Sequence, residues 1–247
     1  MQIDRIDFSS GDEAKLIRRA IDASNGERLY VWSNDITDAG ASALAEALPA
    51  TKLKELHLVV TTMSHSGVVA LVGALPVSTL TKLYISCGEF GDTGTVALAA
   101  VLSQSNLTQL ILGANSVTDV GAVALAEALP SSKLYELDIM GNRITDVGAI
   151  AIAAALPSSR LTVLDLDSYS ITTVGARHIL AAIPRSKVSY VVLDGNRVHA
   201  NLHVAIRYAI AVRHDRNKLF LLLRLMVFWR SDGDNAMLHR IADFLIW

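Results

Sequence analysis

Apolar residues recur along this chain at a fixed spacing of 27 positions. One column holds Leu53, Leu80, Leu107, Leu134, Leu161 and Val188. A second holds Leu29, Leu56, Leu83, Leu110, Leu137, Leu164 and Val191, and a third Val31, Leu58, Ile85, Leu112, Ile139, Leu166 and Leu193. Ile36, Met63, Phe90, Val117, Ile144, Ile171 and Val198 form a fourth. Two more follow in each unit, one running from Leu44 to Ile206 and one from Leu48 to Ile210. All five prolines, Pro49, Pro76, Pro130, Pro157 and Pro184, occupy a single column of the same period. Coincident columns over seven periods define an internal repeat, and a period of this length marks a stacked, solenoid architecture.

The hydrophobic period changes inside each unit. Leu107 to Leu112 ends in alternation, which predicts a short strand with Leu110 and Leu112 inward. Thr118-Asp119-Val120-Gly121 reads as a helix start, where a hydroxyl or carboxylate caps free N–H groups and the acid favours the positive end of the helix dipole. An Ala-rich helix is expected over Ala122–Leu129, with Leu125 and Leu129 facing the strand layer and Pro130 stopping it. Such a unit cannot bury its apolar side alone, so it stacks on its neighbours.

Leu107-x-x-Leu110-x-Leu112-x-x-Asn115-x-Val117 and Leu134-x-x-Leu137-x-Ile139-x-x-Asn142-x-Ile144 resemble the leucine-rich repeat pattern. The long period and the Thr-Asp-Val-Gly-Ala helix start are similar to the ribonuclease-inhibitor class of that family, over roughly Leu29 to Ile210. The resemblance implies an α/β fold: a right-handed α/β solenoid, a horseshoe with parallel strands on the concave side and helices on the convex side. Strands pair about 4.8 Å apart and helices need about 10 Å, so an array in register must curve. The family's functions are diverse, from inhibitors and immune sensors to GTPase regulators and bacterial effectors, and the fold alone does not choose among them.

Where the chain leaves the strand, Asn34, Asn115, Asn142 and Asn196 share a column, and an amide there satisfies turn backbone groups. Thr61, Gly88 and Tyr169 depart from it, which predicts irregular loops at Gly88 and Tyr169. Residues 1–26 read as an N-terminal cap, with a strand around Ile3, Ile6 and Phe8, a capping box at Ser10–Glu13 and a helical stripe of Leu16, Ile17, Ala20 and Ile21. Seven repeats of 27 residues fill 27–213, and 214–247 form a C-terminal cap with one further strand and a final helix, all within one continuous solenoid domain.

Strand residues between the inward leucines point to the concave side. There the aromatic side chains Tyr30, Trp32, His57 and Tyr84 gather at the N-terminal end, and acids gather at the other: Glu136, Asp138, Asp165, Asp167 and Asp194. Tyrosine and tryptophan are frequent interface anchors, and carboxylates on adjacent strands steer basic partners. The expectation is a protein-binding surface of Tyr30, Trp32, His57, Tyr84, Asp138, Asp165, Asp167 and Asp194, its partner carrying a basic element. Several helices expose Val72, Gly73, Ala100, Ala154 and Ala181 in place of charges, so a homodimer through the outer face or through the apolar C-terminal segment is a second mode of association.

Composition narrows the chemistry. With 22 basic and 24 acidic residues, the chain has no cationic excess for nucleic acid. Cys87 is the single cysteine, which removes intrachain disulfides and Cys-based zinc cages. The start lacks the apolar run of a secretory signal, and Leu219–Trp229, broken by Arg224, is too short for a membrane span. A cytoplasmic location is the expectation. Asp165-x-Asp167 offers too few oxygens for a hard cation, His199 and His203 lack a third ligand, and Gly88-x-x-Gly91-x-x-Gly94 lacks the Lys-Ser or Lys-Thr of a phosphate loop. No metal, no cofactor and no catalytic constellation is expected. The reading is a non-catalytic protein–protein interaction module. The alternatives are a small-GTPase regulator using Arg143 and Arg197, and the recognition part of a bacterial effector or innate-immune-type receptor.

Overall fold

The computed structural model describes residues 13–23, 27–32, 36–59 and 62–212. Helix α1 (Glu13–Ala23) leads into alternating strands and helices: β1 (Arg28–Trp32), α2 (Asp38–Ala47), β2 (Glu55–Val59), α3 (His65–Gly73), β3 (Lys82–Ser86) and α4 (Gly91–Val101). They continue as β4 (Gln109–Ile111), α5 (Asp119–Ala128), β5 (Glu136–Asp138), α6 (Asp146–Ala155), β6 (Val163–Asp165), α7 (Thr173–Ala182), β7 (Tyr190–Val192) and α8 (Ala200–Val212). The strands form one parallel sheet in chain order, β1 to β7, and each pairs with the next at a shift of one repeat. Leu29, Leu56, Leu83, Leu110, Leu137 and Leu164 therefore lie side by side, all fully buried. The six apolar columns stack into one continuous core between the sheet and the helices, which is the α/β solenoid expected from the period.

Two expected helix boundaries move. The fourth-repeat helix begins at Asp119, three residues before the expected Ala122, because the Thr118 hydroxyl accepts from Val120 N and caps it there. Pro130 does not stop the chain's turning. Leu129–Ser131 continues as a 3-10 turn with the proline in its first residues, where no N–H is required. Val72, expected on the outer surface, is 2% exposed and belongs to the core. It precedes Gly73 on the inward side of α3, and the outward valine of that helix is Val69. The strand around Ile3–Phe8, the capping box and the C-terminal strand and helix of 214–247 lie outside the described residues.

Two polar ladders join the repeats. Asn142 accepts at Oδ1 from Asn115 N (2.9 Å) and Val117 N (3.0 Å), and its amide donates to the carbonyls of Leu112 and Ile139 (both 2.8 Å). Asn115 and Asn196 do the same work for the preceding loops. Each amide thus satisfies backbone of the repeat before, and Asn115 and Asn142 also bond backbone of their own. In the Tyr169 repeat the left-handed backbone conformation falls on Tyr169 (φ 64°), one residue after its position at Cys87, Ala114 and Gly141 in the preceding units. The buried Ser168 hydroxyl donates instead to the Ile144 carbonyl of the preceding repeat (2.9 Å). The loop before α4 is also irregular. Gly91 has φ +55°, and α4 has Phe90 as N-cap with no side-chain cap bond.

The second ladder runs along the helix N-termini. Asp119 Oδ1 accepts from Thr145 N (2.8 Å) and Gly148 N (2.9 Å), and Oδ2 accepts from the Thr145 hydroxyl (2.6 Å). Asp92 and Asp146 repeat the arrangement one unit earlier and later, and Asp38 does so on Ser64 and Gly67. The expected cap was within one unit. Instead the threonine caps its own helix and the aspartate caps the next one. Hydrogen bonds to Ser64 hold the Asp38 carboxyl below the ordinary carboxylate range. At Asp146 burial pushes upward, but the bonds from Thr172 and Gly175 outweigh it and hold the pKa down. His65 interrupts the column, and α4, the helix it would cap, has no side-chain cap bond.

Candidate functional site: the strand face

Side chains between the inward leucines project from β1–β7 onto one open face, where adjacent strands bring equivalent positions together. Tyr30, His57 and Tyr84 are direct neighbours in register. The His57 ring stacks on Tyr30 (centroids 4.2 Å, planes 25° apart) and on Tyr84 (5.4 Å, 19°). Stacked in this way, the three rings form a rigid ledge whose edges meet solvent. Arg28 Nε sits 3.1 Å from Glu55 Oε1, and His57 Nε2 is 3.6 Å from Glu55 Oε2. His57 Nε2 is buried and makes no hydrogen bond. Burial, followed by the Lys82 charge, lowers its pKa, so the ring is neutral near pH 7. Trp32 closes β1 opposite Val59, but its side chain lies outside the described residues.

Ile111, almost fully buried, separates this ledge from the acidic half. Asp138 and Asp165 face each other across β5 and β6, and Asp167 and Asp194 follow the ends of β6 and β7. Asp138 Oδ1 accepts from Met140 N (2.9 Å), and Asp165 Oδ1 accepts from Asp167 N (3.0 Å), which fixes both carboxylates at the strand ends. Burial, with Glu136 nearby, raises the Asp138 pKa. For Asp165, burial and then the charges of Asp138, Asp167 and Asp194 push the pKa up to about 6. Asp167 Oδ1 is buried without a hydrogen-bond partner. Among the described residues, the ion pairs of this half belong to Asp194 alone, with His203 (3.5 Å) and Arg207 (3.8 Å) of α8.

Three exposed side chains around the acids were not among the expected binding residues: Met140 (43% exposed), Tyr169 (63%) and Tyr190 (59%). Met140 and Tyr190 occupy face columns, so the signal was present, but their exposure depends on small or distant neighbours. Tyr169 leaves the asparagine column and turns outward. Arg143 and Arg197 are exposed, and their backbone N–H groups bond Val117 and Ile171 carbonyls across the loops. His203 contacts Asp194, while His199 precedes α8. Among the described residues, no three His, Cys, Asp or Glu side chains come together as metal ligands, and no helix is long and apolar enough to cross a membrane.

Comparison with known proteins agrees with this geometry. No curated protein matches the chain. A family model described as Leucine Rich repeat matches it four times, at residues 27–45, 78–99, 103–126 and 131–153. Each matched segment includes a strand, a helix or both, and the unmatched repeats carry the same six columns and stack in the same sheet. The chain is a leucine-rich-repeat protein.

Proposed function

We propose that this chain is a non-catalytic protein-interaction module whose strand face holds a partner with a basic element against Asp138, Asp165, Asp167 and Asp194. The aromatic ledge of Tyr30, His57 and Tyr84, with Trp32 beside it in sequence, takes an apolar part of the same partner. One observation carries the reading. Asp138 and Asp165 are half-buried carboxylates on adjacent strands, with raised pKa values and, among the described residues, no ion-pair partner. Desolvated negative charge without a counter-ion costs free energy. A lysine or arginine from a partner offsets that cost, and exposed Tyr169 and Tyr190 add faces for its stem and charge. The 27-residue unit with a full helix supports a place in the ribonuclease-inhibitor-like class. Cys87, exposed as a free thiol, fits a reducing, cytoplasmic compartment.

The test is a random-peptide display selection against the chain, counter-selected on the triple variant Asp138→Asn, Asp165→Asn, Asp167→Asn. Enrichment of lysine- or arginine-containing peptides that the variant fails to bind supports the reading. Enrichment of peptides without basic residues, or equal binding by the variant, contradicts it.

A further inference from the structure

From β5 to β7 the charges of the array are sorted by surface. The strand face there carries Glu136, Asp138, Asp165, Asp167 and Asp194 and, among the described residues, no lysine or arginine. The loops that leave these strands carry the opposite sign. Arg143 follows Asn142 and Arg197 follows Asn196, and both side chains are exposed. The Tyr169 loop lies between them, with its tyrosine 63% exposed. Arg143 N donates to the Val117 carbonyl (2.7 Å) and Arg197 N to the Ile171 carbonyl (2.9 Å), and Arg197 bridges Thr172 in parallel, so each loop is laid against the one before. Neither arginine belongs to an ion pair among the described residues. In the loops 141–146, 168–173 and 195–200 the one acid is Asp146, and its carboxylate is taken up by Thr172 and Gly175. The arginine position is Glu89 and Ser116 in the earlier loops, so the basic edge is confined to the acidic half of the array.

Two adjoining surfaces of opposite sign complement a segment whose charges run in the reverse order. Resting on the proposed function, we infer that the partner's segment is amphoteric: a lysine or arginine lies against Asp138 and Asp165, and an aspartate or glutamate further along it lies between Arg143 and Arg197. Asp165 and Tyr169 are four positions apart, a span of at most about 13 Å, which an extended segment crosses in about three or four residues. Guanidinium forks hold a carboxylate through two parallel hydrogen bonds, and the exposed Tyr169 hydroxyl is a further donor beside them. The edge also supplies discrimination. A polybasic segment satisfies the strand face but sets like charge against Arg143 and Arg197, which disfavours it. The acids alone attract any cationic chain; the arginines select one with an acid at a fixed distance from its basic residue.

Random-peptide display on the full chain and, in parallel, on the double variant Arg143→Gln, Arg197→Gln tests the inference. The basic peptides kept by the parent are expected to carry an aspartate or glutamate about three or four positions from the lysine or arginine, and those kept by the variant to lack that preference. In a peptide kept by the parent, replacing the acid by glutamine weakens binding to the parent by roughly threefold to fivefold, the range of an exposed ion pair, and leaves binding to the variant unchanged. Replacing the peptide's basic residue weakens binding to both chains, which shows that the variant is folded and its strand face intact. Basic peptides with no positional preference for an acid, or an acid whose replacement costs the same on both chains, overturn the inference and leave the proposed function standing. A parent selection that returns no basic peptides overturns both.

Discussion

Gly148→Ala is the sharpest probe of how the repeats are joined. In an ordinary helix interior this exchange stabilises, by about 0.5–1 kcal/mol, because alanine loses less backbone entropy. Here the new Cβ meets Ile144 Cγ2 at 2.7 Å and both Ala122 Cβ and Asp119 Oδ1 at 2.8 Å. Two of these neighbours are packed core atoms. The third is the carboxylate oxygen holding Thr145 N and Gly148 N. Relief of the clash displaces Asp119 from three charge-assisted hydrogen bonds and opens the contact between α5 and α6. Hydrogen bonds to a charged group contribute about 1.5–3 kcal/mol each when buried and less at a partly solvated helix end. Strain adds about 1 kcal/mol. The expected sum is a loss of about 2–4 kcal/mol, read as a lower urea midpoint at unchanged slope. Asp119→Ala alone costs about 1–3 kcal/mol. Added to Gly148→Ala it costs far less, because the bonds are already broken. Gly73→Ala, with open space around its Cβ, is the control and does not destabilise the chain. A Gly148→Ala chain as stable as the parent, or additive behaviour with Asp119→Ala, would refute the reasoning.

Other outcomes follow from the same geometry. Asn142→Ala orphans Asn115 N, Val117 N and a buried carbonyl, and lowers stability by about 3–5 kcal/mol in urea unfolding. Leu137→Ala, in the middle of the stacked column, costs about 2–5 kcal/mol in the same assay. Asp165 has a folded pKa above its ordinary value, so its destabilising effect is fully present above pH 6 and absent below about pH 4. Asp165→Asn therefore stabilises the fold at pH 7 by on the order of 1 kcal/mol at this partly solvated site, read as a higher melting temperature, and has no such effect at pH 3.5. Asp38 and Asp146 have the opposite sign: their contribution holds above the ordinary carboxylate pKa and fades as pH falls, so Asp146→Asn is most destabilising at neutral pH.

The fold was legible because the repeat states the same hydrophobic rule seven times, and burial enforces it at every column. Leu56, Leu83 and Leu110 had to stack once their spacing was known. The asparagine column was legible for a similar reason: a buried turn needs its backbone groups satisfied. The aspartate ladder was only half legible. A carboxylate at a helix start fits its own N-terminus in sequence terms, and its reach to the next helix appears only when the units lie side by side. The glycines two residues into the following helices (Gly121, Gly148, Gly175) were the overlooked signal. For the face, columns fixed which residues share a surface but not how exposed each one is. Tyr30, His57 and Tyr84 make a ledge because β1–β3 are five residues long and in register. Val72 turned inward because α3 packs two adjacent apolar residues, Leu71 and Val72, where periodicity assigned one.

The claim at the centre is that half-buried carboxylates on β5 and β6 stand ready for a cation from a partner. Carboxyl-detected NMR titration of Asp165, first in the free chain and then with a saturating basic peptide from the display selection, measures it directly. The account predicts a midpoint near 6 in the free chain that falls below the ordinary carboxylate value in the complex, because a bound cation favours the charged form. A midpoint that binding leaves in place would contradict it.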